Sequence, residues 1–179
     1  MKVLCIVTNG FEEVEFVGTV GILRRGNVDI DIFSIHGSKA IGRYGIEVSN
    51  LYNFKDIDVT KYDLLLIPGG PEYVEMENNM EFLNIIKYFY NSNKYIAAIC
   101  AGPTILGHLG MLKNKKYTCF TSMNEDFGGE YVDTYVVKDG KIITANGAGN
   151  AMTFALYLLA ALQGEEKALE VGRSIQIKL

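Results

Sequence analysis

The sequence holds only two histidines, His36 and His108, and three cysteines, Cys5, Cys100 and Cys119. The cysteines are odd in number, far apart and never in paired ligand spacing. That argues against a structural zinc site and against a disulfide framework. Free thiols of this kind point to a reducing, cytoplasmic setting. Basic residues form no block beyond Lys113, Lys115 and Lys116, and the net charge is −4. Binding a phosphate backbone needs a concentrated basic face, so nucleic acid is set aside as a partner. No apolar run reaches the ~20 residues of a membrane span. The most apolar late stretch, "AMTFALYLLAALQG", reads as a core helix. The start, "MKVLCIVTNG", is too short and too β-branched for a signal peptide, and it lacks a small-residue cleavage site. Gly-x-Gly-x-x-Gly is also missing after the first apolar run, where three carboxylates would repel a phosphate. No residue set calls for a cofactor or a metal.

What remains is a chain of 179 residues, 49% hydrophobic and 21% charged. This is enough for one domain over residues 1–179 to bury a core without covalent staples. "KVLCIVT" is a short continuous apolar run bounded by Asn9-Gly10, the pattern of a strand buried on both faces. "EEVEFVGTVGILRRG" carries Val14, Val17, Val20, Ile22 and Leu23 at helical spacing and stops at Arg-Arg-Gly, a C-terminal signal. "VDIDIFSI" alternates as a strand. "AIGRYGIEVS", with Gly42 and Gly45, reads as a hairpin or an edge excursion. "DLLLIPGG" and "YIAAIC" are two more buried strands. "MEFLNIIKYFYNS" is an amphipathic helix, and "PTILGHLGML" a short one. "YTCFT" is a candidate fifth strand, and "TYVVKDGKIITAN" is two strands about a Lys-Asp-Gly turn. Two helices close the chain, split at Gly164. Strands alternating with helices define an α/β fold with a mostly parallel sheet. In such sheets ligands bind in the crevice beyond the carboxyl ends of the strands.

Three strands deliver chemistry to that edge. Cys100 stands where a buried strand gives way to "AGP". Gly102 permits a tight turn, and Pro103 suits a first helical position. A thiol there faces the free N–H groups of a helix start, which favours the thiolate. Cys5 and Cys119 read as buried structural cysteines. "PGG" places the backbone N–H groups of Gly69 and Gly70 where, with that of Ala101, they can hold a developing oxyanion. In "EEVE", Glu12 and Glu13 complement the helix dipole. Glu15, set among apolar residues, is the one placed to point inward. There it would share a proton with the thiol. His108 reads as a surface or packing residue. "NGAGN" reads as a turn with Asn150 as N-cap.

"GFEEVE" with Glu15, "RRG" with Arg24 and Arg25, "LIPGG", "AAICAGP" with Cys100, "KDGKIIT" and a late "GAG" occur in one order along the chain. In this the sequence resembles the ThiJ/PfpI superfamily, and most of all its DJ-one-like branch. The resemblance implies a flavodoxin-like α/β sandwich of three layers, a homodimer, and the cysteine on a strained turn known as a nucleophile elbow. It further implies a cofactor-free glyoxalase or deglycase acting on a small carbonyl substrate, with Cys100 and Glu15 as its catalytic residues. Two other roles attach to such relatives, a redox-sensing protector or chaperone and a thiazole-phosphate biosynthesis protein. The acidic first loop weighs against the second. Protease-like members carry a histidine after the cysteine, where this chain has Ala101. Glutaminases of related fold need a histidine late in the chain, and none follows His108. Two positions depart from the branch. Phe120 stands where some members place a pocket histidine, and the late loop is "GAGN" instead of Gly-Pro-Gly-Thr.

Overall fold

The computed structural model describes residues 1–177. In chain order its elements begin with β1 (Lys2–Val7), a π-helical turn over Val14–Gly18, α1 (Thr19–Arg25) and β2 (Asp29–Ser34). A small excursion follows, made of β3 (Lys39–Ile41) and β4 (Glu47–Ser49), and the chain returns through β5 (Tyr52–Asn53) to β6 (Leu64–Ile67). Next come α2 (Tyr73–Glu77), α3 (Met80–Asn91), β7 (Tyr95–Ile99) and α4 (Gly102–His108). The remainder is β8 (Lys116–Tyr117), β9 (Glu130–Tyr131), β10 (Val136–Asp139), β11 (Ile142–Ala145), α5 (Ala151–Gln163) and α6 (Glu165–Ser174).

The central sheet runs β10-β11-β7-β6-β1-β2-β5. Every pairing is parallel except the β10–β11 hairpin. Both faces are covered, which explains why its strands read as continuous apolar runs. Val3, Cys5 and Val7 face the helices α1, α5 and α6, while Leu4 and Ile6 face α3 and α4. The result is a three-layer flavodoxin-like α/β fold. Leu64 to Ile67 are all fully buried. Each such side chain is worth about 1.5–3 kcal/mol of transfer free energy. The chain leaves β1 and β6 in opposite directions along the sheet, so the switch point of this topology lies between them, and β7 is the next strand out. The loops after β1, β6 and β7 therefore converge on one crevice.

Helix α3 shows how local sequence sets an element. Asn79 caps it by accepting the N–H groups of Glu81 and Phe82 at 3.0 and 3.1 Å. Phe82, Ile86 and Phe89 form its buried stripe. Helix α5 is apolar nearly all round because α1, α6 and the sheet enclose it. Among the described residues no helix is long and apolar enough to cross a membrane.

Several expectations need correction. The first helix does not run at uniform α spacing. Its opening turn is π-helical and buries Glu15 and Phe16, which leaves Val14 and Val17 exposed. "YTCFT" is no central strand. Only its start pairs, as β8 with β9, in a separate two-stranded sheet. Helix α2, with five residues, is too short to show a period. Asn150 precedes α5 without capping it through its side chain, which donates to Asn146 Oδ1 at 2.8 Å instead. The hairpin reading of "AIGRYGIEVS" holds, as an antiparallel pair of its own, β3 with β4.

Candidate active site

Cys100 is held by the backbone on both sides. Its N–H donates to Ala145 O at 2.9 Å, which extends the β7–β11 ladder by one residue. Its carbonyl accepts the N–H of Phe120 at 2.9 Å. Between these anchors the backbone turns into the left-handed region, with φ +62° at Cys100. A non-glycine residue there costs on the order of 1–2 kcal/mol, and such strain persists only where the surroundings over-determine it. Gly102 is needed for close approach, since a Cβ would stand 3.1 Å from Ile67 O. Pro103 occupies the first turn of α4.

Glu15 reaches the same point from the other side of the switch. It is 1% exposed. The π-helical turn rotates it inward, and its N–H is held by Glu12 Oε2 at 2.8 Å. Glu15 Oε2 accepts the N–H of Gly69 at 3.0 Å, while Oε1 is buried with no partner. A Cβ on Gly69 would collide with the Glu15 carboxylate and stand 2.6 Å from Cys100 Cβ. The missing side chain is thus what lets acid and thiol meet. Gly70 has φ +115° and lies against Gly10 O and the N–H of Glu12. This fuses the loops after β1 and β6.

The electrostatics correct one expectation. A helix start was to favour the Cys100 thiolate, and the Ala101 N–H does act in that direction. Burial outweighs it, and the negative charge of Glu15 adds to burial, so the thiol is pushed well up from its ordinary value. Glu15 itself is pushed up to about 7, by burial first. The Cys100 thiol, the Gly69 N–H and the Arg43 charge oppose that shift, while Glu12 adds to it. Two groups in such contact titrate as a pair. At neutral pH the pair tolerates one negative charge, with the carboxyl poised to gain or lose the proton.

The N–H of Gly69 is spent on Glu15, so Gly69 shapes the site and is not a free oxyanion donor. The N–H groups of Gly70 and Ala101 carry no intramolecular backbone bond among the described residues. Phe120 is 47% exposed, with its ring over Gly147. Cys5 and Cys119 are fully buried. Burial raises both thiols, Cys119 to about 11. His108 lies outside the site, bridging Glu77 and Glu125 on the surface. Glu13 stands at the start of the π-helical turn, as expected, but makes no side-chain cap hydrogen bond there. It is buried, and its Oε1 accepts the N–H of Tyr44 at 2.7 Å, which pins the β3–β4 turn. Arg43 on that turn is a site residue the sequence did not reveal, since only the fold brings its charge near Glu15. Among the described residues no group of three or more His, Cys, Asp or Glu gathers to hold a metal.

These features define a flavodoxin-like α/β protein with a strained cysteine turn facing a buried acid at the switch point of its sheet. The chain belongs to the DJ-1/PfpI family, whose model matches residues 1–161. It is 30% identical over 182 residues to protein dj-1beta of Drosophila melanogaster, covering 97% of this chain and 96% of that one. The crystal structure of that relative superposes with a TM-score of 0.92 over the whole of both chains, at 28% identity. The deglycase TK1284 of Thermococcus kodakarensis is 31% identical over 155 residues, covering 84% of this chain and 92% of the relative. An oxidized DJ-1 of Toxoplasma gondii superposes with a TM-score of 0.92 at 26% identity, covering 99% of each chain.

Proposed function

We propose that this protein is a cofactor-free enzyme of the deglycase or glyoxalase type, in which Cys100 attacks small dicarbonyls or their adducts. The observation that carries the reading is the strained Cys100 turn beside Glu15, with the N–H of Gly70 free of backbone partners among the described residues and that of Ala101 directed at the Cys100 sulfur. Because the thiol is pushed up, Glu15 acts as the base that removes its proton while sulfur adds to the aldehyde carbon of a substrate such as methylglyoxal. The C–S bond forms and the carbonyl electron pair moves to oxygen, where the Gly70 and Ala101 N–H groups hold it. Glu15 returns its proton to that oxygen, giving a hemithioacetal. It next takes the proton from the former aldehyde carbon and passes it to the neighbouring ketone oxygen, giving an enediol, then takes the proton of the first hydroxyl and delivers it to the neighbouring carbon. The product is a thioester of the hydroxy acid. Water cleaves it, releasing lactate and restoring the thiol. The relative named a deglycase supports the class of reaction.

A second reading is a redox-sensing protector. The oxidized Toxoplasma gondii relative favours it, and a protonated Glu15 beside sulfur would stabilise a sulfinate formed with peroxide. We read the working form as a homodimer in a reducing, cytoplasmic setting. The exposed Val14, Val17 and Met152 around the first helix support the dimer, and three free thiols support the setting. Lactate formation from methylglyoxal decides between the two readings. Many lactates per chain are expected from wild type and none from Cys100→Ser. Fewer than one per chain from wild type overturns the enzyme reading.

A further inference from the structure

Beneath the site lies a second set of acids that the reaction above leaves unused. Glu72, two residues after Gly70, is 2% exposed. Its Oε2 accepts the backbone N–H of Thr8 at 2.8 Å, and its Oε1 is buried with no partner. Thr8 is the first residue past β1 and is itself fully buried. Its Oγ1 donates to Glu75 Oε2 at 2.5 Å, and His36 Nε2 lies 2.9 Å from Glu75 Oε1. These residues form a strap along the carboxyl ends of β6, β1 and β2. Above the strap the two site loops touch backbone to backbone. A Cβ on Gly10 would stand 3.4 Å from the Glu72 nitrogen, and the N–H of Glu12 donates to Gly69 O at 2.8 Å.

A buried carboxylate with one bare oxygen is costly, and a neutral acid in the same place is much less so. The acidic groups that bear on Glu72 all oppose its ionisation. They are Glu15 from the π-helical turn and Glu75 from α2, while the Cys5 thiol on β1 is itself raised by burial and by Glu72 and stays neutral. His36 sits beyond Glu75, at the far end of the strap. Burial opposes ionisation most strongly, and the Thr8 N–H alone favours it.

We propose that Glu72 is a positioning residue for the Cys100–Glu15 pair: as a neutral acid it locks Thr8, and with it the loop that carries Glu15, against the Gly69–Gly70 turn without adding a second buried charge. The proposal rests on Cys100 and Glu15 being a functional pair and on no particular substrate. The test is the rate of Cys100 alkylation by iodoacetamide from about pH 5 to 9, read by mass spectrometry.

Wild type is expected to show an inflection that Glu15→Gln removes. Glu72→Gln keeps both the acceptor and the neutrality, so its inflection should match wild type. Glu72→Met keeps the volume but loses the acceptor. The loop then loosens, water reaches Glu15, and the inflection should move toward acid by about one unit. If Glu72→Met does not fold by circular dichroism, Glu72→Ser takes its place with the same expectation. A Glu72→Gln inflection displaced by a unit or more would show that Glu72 carries a charge, and the proposal falls. A wild-type inflection in Glu72→Met or Glu72→Ser would show that the Thr8 bond positions nothing, with the same result. A wild-type curve with no inflection sinks the pair itself. Absence of lactate turnover with these alkylation results intact sinks only the enzyme reading.

Discussion

At the scale of single residues, the site is held together against its own electrostatics. Glu15 is buried with one bare oxygen and keeps its proton up to about pH 7. In the unfolded chain it releases that proton near its ordinary value of 4.5. The unfolded state therefore binds fewer protons between those values, and stability falls as pH rises through them. The loss is on the order of 3 kcal/mol once both limits are passed. Glu15→Gln carries no charge to bury, so it is expected to melt above wild type at pH 8 and close to it at pH 4. Thermal denaturation at the two pH values checks this. A variant no more stable than wild type at pH 8 would mean that burial does not strain the carboxyl. The same variant should lower lactate turnover by about 10²–10⁴-fold, the usual contribution of a general acid–base. Cys100, Gly69, Gly70 and Ala101 were legible in the sequence because each stands at the end of an apolar run, where the crevice rule applies. Glu15 was legible from its apolar neighbours. Glu13 and Glu72 were not. Their partners, Tyr44 and Thr8, lie 31 and 64 residues away, and acids near a helix start look alike until the fold supplies the contact.

Among the elements, the strands of the central sheet could be read because burial on both faces leaves an unbroken apolar run. The first helix could be located, though its register could not. A π-helical turn adds a residue to the period, so Val14 and Val17, which share a helical spacing with Val20, fall outside the buried face that Val20, Ile22 and Leu23 form. Its other end shows a true signal with a different cause. Gly26 follows Arg24-Arg25 at the helix terminus, yet its φ is −77°, and Asn27 takes the left-handed turn at +59°. Gly26 is required by packing. A Cβ there would run into Leu159, with Cδ1 at 3.2 Å, and Leu159 is fully buried in α5. Gly26→Ala is accordingly expected to cost about 1–3 kcal/mol, the range for overpacking a close-packed contact. Urea denaturation should show a lower midpoint with an unchanged slope. A midpoint within error of wild type would mean that α1 and α5 have room to separate.

For the whole molecule, the exposed outer face of the first helix poses the main physical question. Val14 and Gly18, like Val17 and Gly21, are four residues apart, and Val14 is three from Val17 as Gly18 is from Gly21. Val14 and Val17 are 48% and 49% exposed, and a Cβ on Gly21 would meet nothing within 4 Å. Met152 of α5 closes over Gly18 and extends the same surface. Small residues flanked by exposed valines leave a shallow apolar face on which a second helix can pack closely. A second copy of this chain presents that face in self-complementary form, as a two-fold interface requires. Light scattering at micromolar protein is expected to give about twice the chain mass of 19.9 kDa. Val17→Glu, which buries an unpaired charge if the face is covered, should return the mass to that of one chain. Cys100, Glu15, Gly70 and Ala101 all come from a single chain. The monomeric variant is therefore expected to keep the alkylation rate of Cys100 even though the dimer is lost. A wild-type mass of one chain would overturn the dimer. A monomeric Val17→Glu with a slowed Cys100 would show that the partner copy shapes the site, which the geometry of one chain does not require.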